Sequence, residues 1–242
     1  MNIIGIIPAR AGSTRVPRKN IRRFGGGEPL IVRAIHTALQ SKLDRVILST
    51  DSEQYAELGR LAGAETPFLR PAALASANTT AMSVIQHCLQ FLDSSGDAYP
   101  DAVAYLQPTS PFRTAKYIDE GLMIMKTAET DTVLSLEPVN QFPAFMWEKR
   151  EDGEFSRATP NLEKAERSQD QPSTYIESTC VVITRTGYLL NSSADGLIMN
   201  HNSFSPLFIT PQAAIDINTE HDFAFAEFMA QRDATKTLAT ND

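Results

Sequence analysis

Runs of buried-strand character alternate with amphipathic helical segments along most of this chain, and that alternation limits its fold more than any other feature. Ile3, Ile4, Ile6 and Ile7 form an apolar strand that ends at Pro8. Ile31, Ala34, Ile35, Ala38 and Leu39 then recur on one helical face. RVILST (45–50) reads as a second strand, and Asp51 or Ser52 can cap a helix through Leu58 and Leu61 that Gly63 closes. A short strand is expected at 66–69. The helix after it carries Ala81, Val84, Ile85, Cys88, Leu89 and Leu92, with Asn78 or Thr79 as its cap. Strands are expected at 101–108 and 131–138, with a helix around 117–125 between them. They resume at 179–184 and near 208–217, and a last helix runs from about 219 to 232 before a frayed polar tail. This rhythm predicts an α/β fold with a mostly parallel sheet covered by helices on both faces.

The rhythm fails between 138 and 175. That segment is charged, contains Pro143, Pro160 and Pro172, and holds the only tryptophan, Trp147. Phe142, Phe145, Met146, Trp147 and Phe155 are too many large apolar groups for a solvated loop, so the segment packs on the domain or makes a partner surface. The 242 residues are read as a single domain, 1–242, with 138–175 inserted in it.

Cys88 and Cys180 have no metal-type spacing and fall on a helix's apolar side and inside a strand, so both are expected in the core. With no oxidising signature, no secretory leader and no run of ~18 apolar residues, the chain is expected in the cytoplasm and not in a membrane. The formal net charge of −7 argues against general nucleic-acid binding.

Against that acidic background, Arg10, Arg15, Arg18, Lys19, Arg22 and Arg23 follow one another with no intervening acid. A basic, glycine-containing loop leaving the carboxyl end of a buried strand suits phosphate binding. It carries neither GxxxxGK[ST] nor GxGxxG, which excludes a P-loop and a dinucleotide fingerprint. Arg10 and Lys19 suit a triphosphate, with backbone N–H groups of Ala11, Gly12 and Ser13 as further donors.

Two more loops are expected on the same rim. Loop 70–80 offers Arg70 and the small residues Ala75, Ser76 and Ala77, beside which a flat base fits. QPTSPFR (107–113) offers Gln107, Thr109, Ser110 and Arg113; Thr114 or Ser110 can equally cap the next helix. Asp216, expected at a strand end, is either a polar terminus or an oxygen ligand for Mg²⁺ beside phosphates. Asn218 or Thr219 can cap the final helix, with Thr219 and Asp222 as a capping-box-like pair. The four histidines form no cluster, and none is assigned a catalytic role.

IIPARAGSTRVPRKNI, STDSE, LRPAALA, LQPTSPFRT, RSQDQP and IDINTEHD occur in this order between about residues 2 and 231. Together they resemble the acylneuraminate cytidylyltransferases, the CMP-sialic acid synthetases. The resemblance implies a Rossmann-like fold and transfer of CMP from CTP to the anomeric hydroxyl of a nine-carbon 2-keto sugar acid, with release of pyrophosphate. It places Arg10, Ala11, Gly12, Ser13, Arg15, Lys19 and Asn20 on the CTP phosphates, and Arg70 and Ser76 by the nucleoside. Gln107, Thr109, Ser110 and Arg167 fall to the sugar acid, and Asp216 to Mg²⁺, with Asn218 where a second metal aspartate stands in the family. Lys19, Arg10 and Asp216 are the implied catalytic residues. The insertion becomes a dimerisation arm, and the protein a homodimer.

The chain departs from the family pattern at Thr14, Ala77 and Asn218, and reads YIEST at 175–179 where many sialate enzymes read YRENG. The acceptor therefore stays open among sialate, legionaminate-type, pseudaminate-type and eight-carbon acids. The alternatives are a 3-deoxy-manno-octulosonate cytidylyltransferase and a CTP-binding homologue without turnover.

Overall fold

The computed structural model describes residues 1–13, 15–139, 142–159 and 173–239, the last seven as backbone. Its centre is a six-stranded sheet built from β1 (Ile3–Pro8), β2 (Arg45–Ser49), β3 (Ala102–Tyr105), β4 (Thr132–Pro138), β7 (Tyr175–Arg185) and β8 (Phe204–Phe208). Their order across the sheet is β2-β1-β3-β7-β4-β8. Five strands point the same way, and β7 alone runs against them, between β3 and β4. β5 (Trp147–Lys149) and β6 (Phe155–Arg157) form a separate antiparallel hairpin.

The helices are α1 (Leu30–Leu39), α2 (Glu53–Leu61), α3 (Ala81–Ser94), α4 (Ala115–Thr127), α5 (Thr186–Asn191) and α6 (Glu220–Ala239). The alternation inside β1 shows why the sheet is covered twice. Ile3 and Ile7 join Ile31 and Ile35 of α1 and Ile118 and Leu122 of α4 on one face. Ile4 and Ile6 join Ile85 and Leu89 of α3 and Leu189 of α5 on the other. Both cysteines are free thiols inside these layers. Among the described residues, no helix is long and apolar enough to cross a membrane.

Four local expectations are corrected. Residues 66–69 form no strand, because β2 meets that segment only through one parallel bridge, Ile47 with Glu65. The eighth strand covers Phe204–Phe208, where 208–217 was expected, and 211–214 turn instead, so Asp216 follows a turn and not a strand end. Thr80, not Asn78 or Thr79, caps α3 by accepting from Ser83 N–H at 3.1 Å. The last helix continues through Ala239, past the point where fraying was expected. Ser52 caps α2, Thr114 caps α4, and Thr219 exchanges hydrogen bonds with Asp222 as the capping-box pattern requires.

Because only β7 is reversed, the carboxyl ends of β1, β2, β3, β4 and β8 share one rim with the amino end of β7. Loops 9–20 and 107–113 leave the sheet there, and loop 70–80, which follows no strand, is tied to the same rim where Arg70 N–H donates to Thr50 O at 2.7 Å.

Candidate active site

The basic loop is shaped by ties to its neighbours. Ala9 N–H donates to Ser49 O at 3.0 Å, and Ala11 N–H to Asp51 Oδ1 at 2.8 Å, which fasten it to the end of β2. Ser13 Oγ donates to Val16 O at 2.7 Å. Val16, fully buried, anchors the loop in a satellite core with Phe24, Leu30, Ile217 and Phe223. Arg18 holds the left-handed φ of 55° that turns the chain toward Lys19. Two of the three N–H groups expected to meet phosphates are therefore engaged inside the protein, Ala11 with Asp51 and Ser13 with Ala11 O.

The loop opens on a cavity of about 310 Å³. Arg10, Ser13, Arg15, Lys19 and Asn20 line one wall. Arg70, Ser76, Ala77, Thr79, Thr80 and Val84 line the second, Tyr105 lies at the carboxyl end of β3, and Gln107, Pro108 and Thr109 line the third. Asn218 closes the side nearest α6, and Pro8 completes the lining. Among the described residues the lining contains four cations and no carboxylate. The six-cation island divides, since Arg22 turns away to Glu220 (2.7 Å) and lies over the Phe223 ring.

Lys19 Nζ donates to Ile217 O at 2.8 Å. Burial pushes the Lys19 ammonium pKa down, and Arg15 and Arg10 push it the same way against the pull of Asp216 and Asp222. The site thus presents positive charge that water solvates poorly. Arg70 is buried and directs its guanidinium to Ser49 Oγ (3.2 Å), Ser49 O and Leu74 O (3.3 Å), so it shapes the second wall as well as lining it. Burial lowers the Arg70 pKa and raises the Tyr105 hydroxyl to about 12.

Arg113 does not reach the cavity. Its buried guanidinium donates to Cys180 O at 2.5 Å and to Gln107 O, joining the third wall to β7. Where it does so, the β4–β7 register shifts between Leu134 and Ser135. Ser135 Oγ fills the irregularity, donating to Ser178 O at 2.6 Å and accepting from Val181 N–H at 3.0 Å. A bulge beside a site re-aims side chains, and this one is joined to Gln107 through Arg113.

The sequence-derived set is thus largely gathered around one cavity. Ala11, Gly12, Ser110 and Asp216 do not line it: Ser110 is buried in the turn after β3, and Asp216 lies behind Asn218. Arg167 is outside the described residues, as is Thr14. Thr80, Val84 and Tyr105 were not anticipated, and only the position of Tyr105 at a strand's carboxyl end signalled it.

Among the described residues, Asp216 offers a carboxylate oxygen suited to a cation. Its Oδ2 accepts from Asn218 Nδ2 at 2.5 Å, and its Oδ1 is buried without a partner among the described residues. No group of three His, Cys, Asp or Glu gathers among those residues. One carboxylate oxygen beside a cationic wall fits magnesium, which takes one or two carboxylates plus phosphates and water.

The cytidylyltransferase family matches residues 4–192. The chain belongs to that family. It is 34% identical to a CMP-N,N'-diacetyllegionaminic acid synthase of Legionella pneumophila, over 94% of this chain and 95% of that protein. It is 38% identical to an N-acylneuraminate cytidylyltransferase of Escherichia coli, over 52% of this chain and 29% of that one. A solved CMP:2-keto-3-deoxy-manno-octonic acid synthetase complexed with CTP shares the fold, with a TM-score of 0.68 at 16% identity over 96% of this chain and 100% of that one.

Proposed function

We propose that this cytidylyltransferase moves CMP from CTP to the anomeric hydroxyl of a nine-carbon 2-keto sugar acid and releases pyrophosphate. The observation that carries the reading is the cavity lining, where Arg10, Arg15, Lys19 and Arg70 face the same space with no carboxylate beside them. Such a lining fits the triphosphate of CTP far better than a neutral ligand. The full-length likeness to a legionaminic acid synthase supports an acceptor of the sialate, legionaminate and pseudaminate class. The eight-carbon reading rests on likeness of fold alone.

In this reading Arg10, Arg15 and Lys19 hold the phosphates, with Ser13 and Asn20 beside them. Ser76 and Ala77 leave room for the cytosine, against a wall that Arg70 shapes. Gln107 and Thr109 meet the sugar acid, with Ser110 stiffening the turn behind them. Arg167 is assigned to the acceptor carboxylate on the resemblance alone. The hydroxyl oxygen of the acceptor bonds to the α-phosphorus and its proton passes to solvent. The bond to the β-phosphate oxygen breaks as pyrophosphate leaves. No protein nucleophile is needed, since such a transfer is driven by positioning and by charge stabilisation from Lys19 and Arg10. Magnesium held by Asp216 Oδ1 would supply charge neutralisation at the phosphates.

We also assign the inserted arm to dimerisation. Its hairpin exposes Trp147 (57%) and Phe155 (62%), with Met146 and Phe145 also partly open. A second copy is the partner proposed for that surface. The two free, buried cysteines suit the reducing cytoplasm.

The test is pyrophosphate release from CTP and Mg²⁺ with N-acetylneuraminate, diacetyllegionaminate, pseudaminate and eight-carbon ulosonates, one at a time. Turnover with a nine-carbon acid is expected. Turnover only with an eight-carbon acid replaces the acceptor class, and CTP binding without release for any acid replaces the enzyme with a nucleotide-binding homologue.

A further inference from the structure

Both side-chain polar atoms and the backbone N–H of Asn218 are committed within the protein. Its Nδ2 donates to Asp216 Oδ2 at 2.5 Å, its Oδ1 accepts from Arg15 Nη2 at 3.3 Å, and its backbone N–H donates to Asp222 Oδ2 at 2.9 Å. The amide orientation follows from these partners. Reversed, it would set oxygen against carboxylate and NH₂ against guanidinium. Lys19 holds the intervening carbonyl of Ile217 at 2.8 Å, so the 216–218 backbone is fastened from both sides. What is left on these two side chains is one buried oxygen, Oδ1 of Asp216, without a partner among the described residues.

We infer that Asn218 is a positioning residue and not a cation ligand: it leaves Asp216 one free oxygen for one divalent ion and holds Arg15 as a protein-borne second positive charge. The inference rests on the cytidylyl-transfer reading and deepens it. Its physical basis is the short Asn218–Asp216 contact. Two carboxylates at that separation repel and call for a cation between them. An amide N–H satisfies the same oxygen without one. The Arg15 guanidinium is exposed at the edge of the cavity, and without this contact it would have more rotamer freedom to lose on meeting phosphate.

The test counts Mn²⁺ bound to the protein with equimolar CTP and no acceptor, by electron paramagnetic resonance. One tightly bound Mn²⁺ per chain is expected for the wild type and two for Asn218→Asp. Asn218→Ala, which removes no charge, is expected to weaken CTP binding by calorimetry about tenfold, as Arg15→Ala does, with the double variant no weaker than either alone. Two ions in the wild type, or one in Asn218→Asp, overturns the inference, as does additive loss in the double variant. If the wild type binds no CTP, the cytidylyl-transfer reading itself fails and this inference with it, an outcome distinct from the other three.

Discussion

Ser135→Ala tests how the third wall of the cavity is built. Ser135 is fully buried, and its hydroxyl serves Ser178 O and Val181 N–H across the irregularity in β4–β7 pairing. Alanine leaves both main-chain groups without it, in a place water does not reach. A buried polar group stripped of its partner costs about 1–3 kcal/mol. Two such groups, allowing for some relaxation, give about 3 kcal/mol. In a chain of this size 1 kcal/mol moves the melting midpoint by about 2–4 °C, so a drop of about 6–12 °C is expected. The functional consequence is selective, because the bulge reaches Gln107 through Arg113, while the Arg10 carbonyl and the Lys19 ammonium are held by Asn20 and Ile217. KM for the sugar acid is expected to rise about tenfold, worth ~1.4 kcal/mol, with KM for CTP near its wild-type value. Scanning calorimetry and initial rates measure both. A midpoint within about 2 °C of wild type, or equal rises in the two KM values, would refute the reasoning.

Three further outcomes follow from the geometry. Lys19→Met is expected to lower kcat by about 10²-fold or more, as loss of a charge-stabilising donor does, while leaving stability within about 1 kcal/mol because burial already disfavours the ammonium; steady-state rates and a urea titration decide it. Gly59→Ala would set a Cβ 2.4 Å from Leu48 Cδ2, so overpacking of α2 on β2 should outweigh the ~1 kcal/mol of helix propensity gained and lower the melting midpoint. For Asp222, burial pushes the carboxyl up, but N–H donors of Asn218 and Thr219 and the Thr219 hydroxyl pull it net below its ordinary value. Its contribution is therefore present above the unfolded-state value and lost as pH falls through the folded one, and Asp222→Asn should flatten that acid limb in a denaturation series.

The layered sheet was legible because its strands are apolar on both faces. Ile3–Ile7 and Val46–Leu48 can be buried nowhere else. The cationic wall of the cavity was legible because uncompensated charge is conspicuous in an acidic chain. Other parts were hidden for physical reasons. Nothing in TCVVIT tells which way the strand runs, since direction is decided by what it pairs with. Ser135 reads as an ordinary polar position in a strand, and its value comes from a register shift produced three-dimensionally. Arg113 looked like a ligand-binding cation because a buried arginine with only carbonyl partners has no sequence signature. Asp216 and Asn218 were singled out by type and position, but the hydrogen bond that decides their roles depends on a side-chain orientation.

The reversal of β7 has a consequence for how such a protein diversifies. Pro138 and Tyr175 are register partners, and Val139 N–H donates to Thr174 O at 3.1 Å, so the chain leaves and re-enters the sheet at neighbouring points. Whatever lies between those points can lengthen, shorten or be exchanged without changing the spacing of the strands. Closing a longer loop costs only about 0.6 kcal/mol per doubling of its length. The segment between those points can therefore be inherited under separate selection from the sheet that carries the cavity. Exchanging residues 140–173 between relatives is therefore expected to leave the order and pairing of the six strands unchanged.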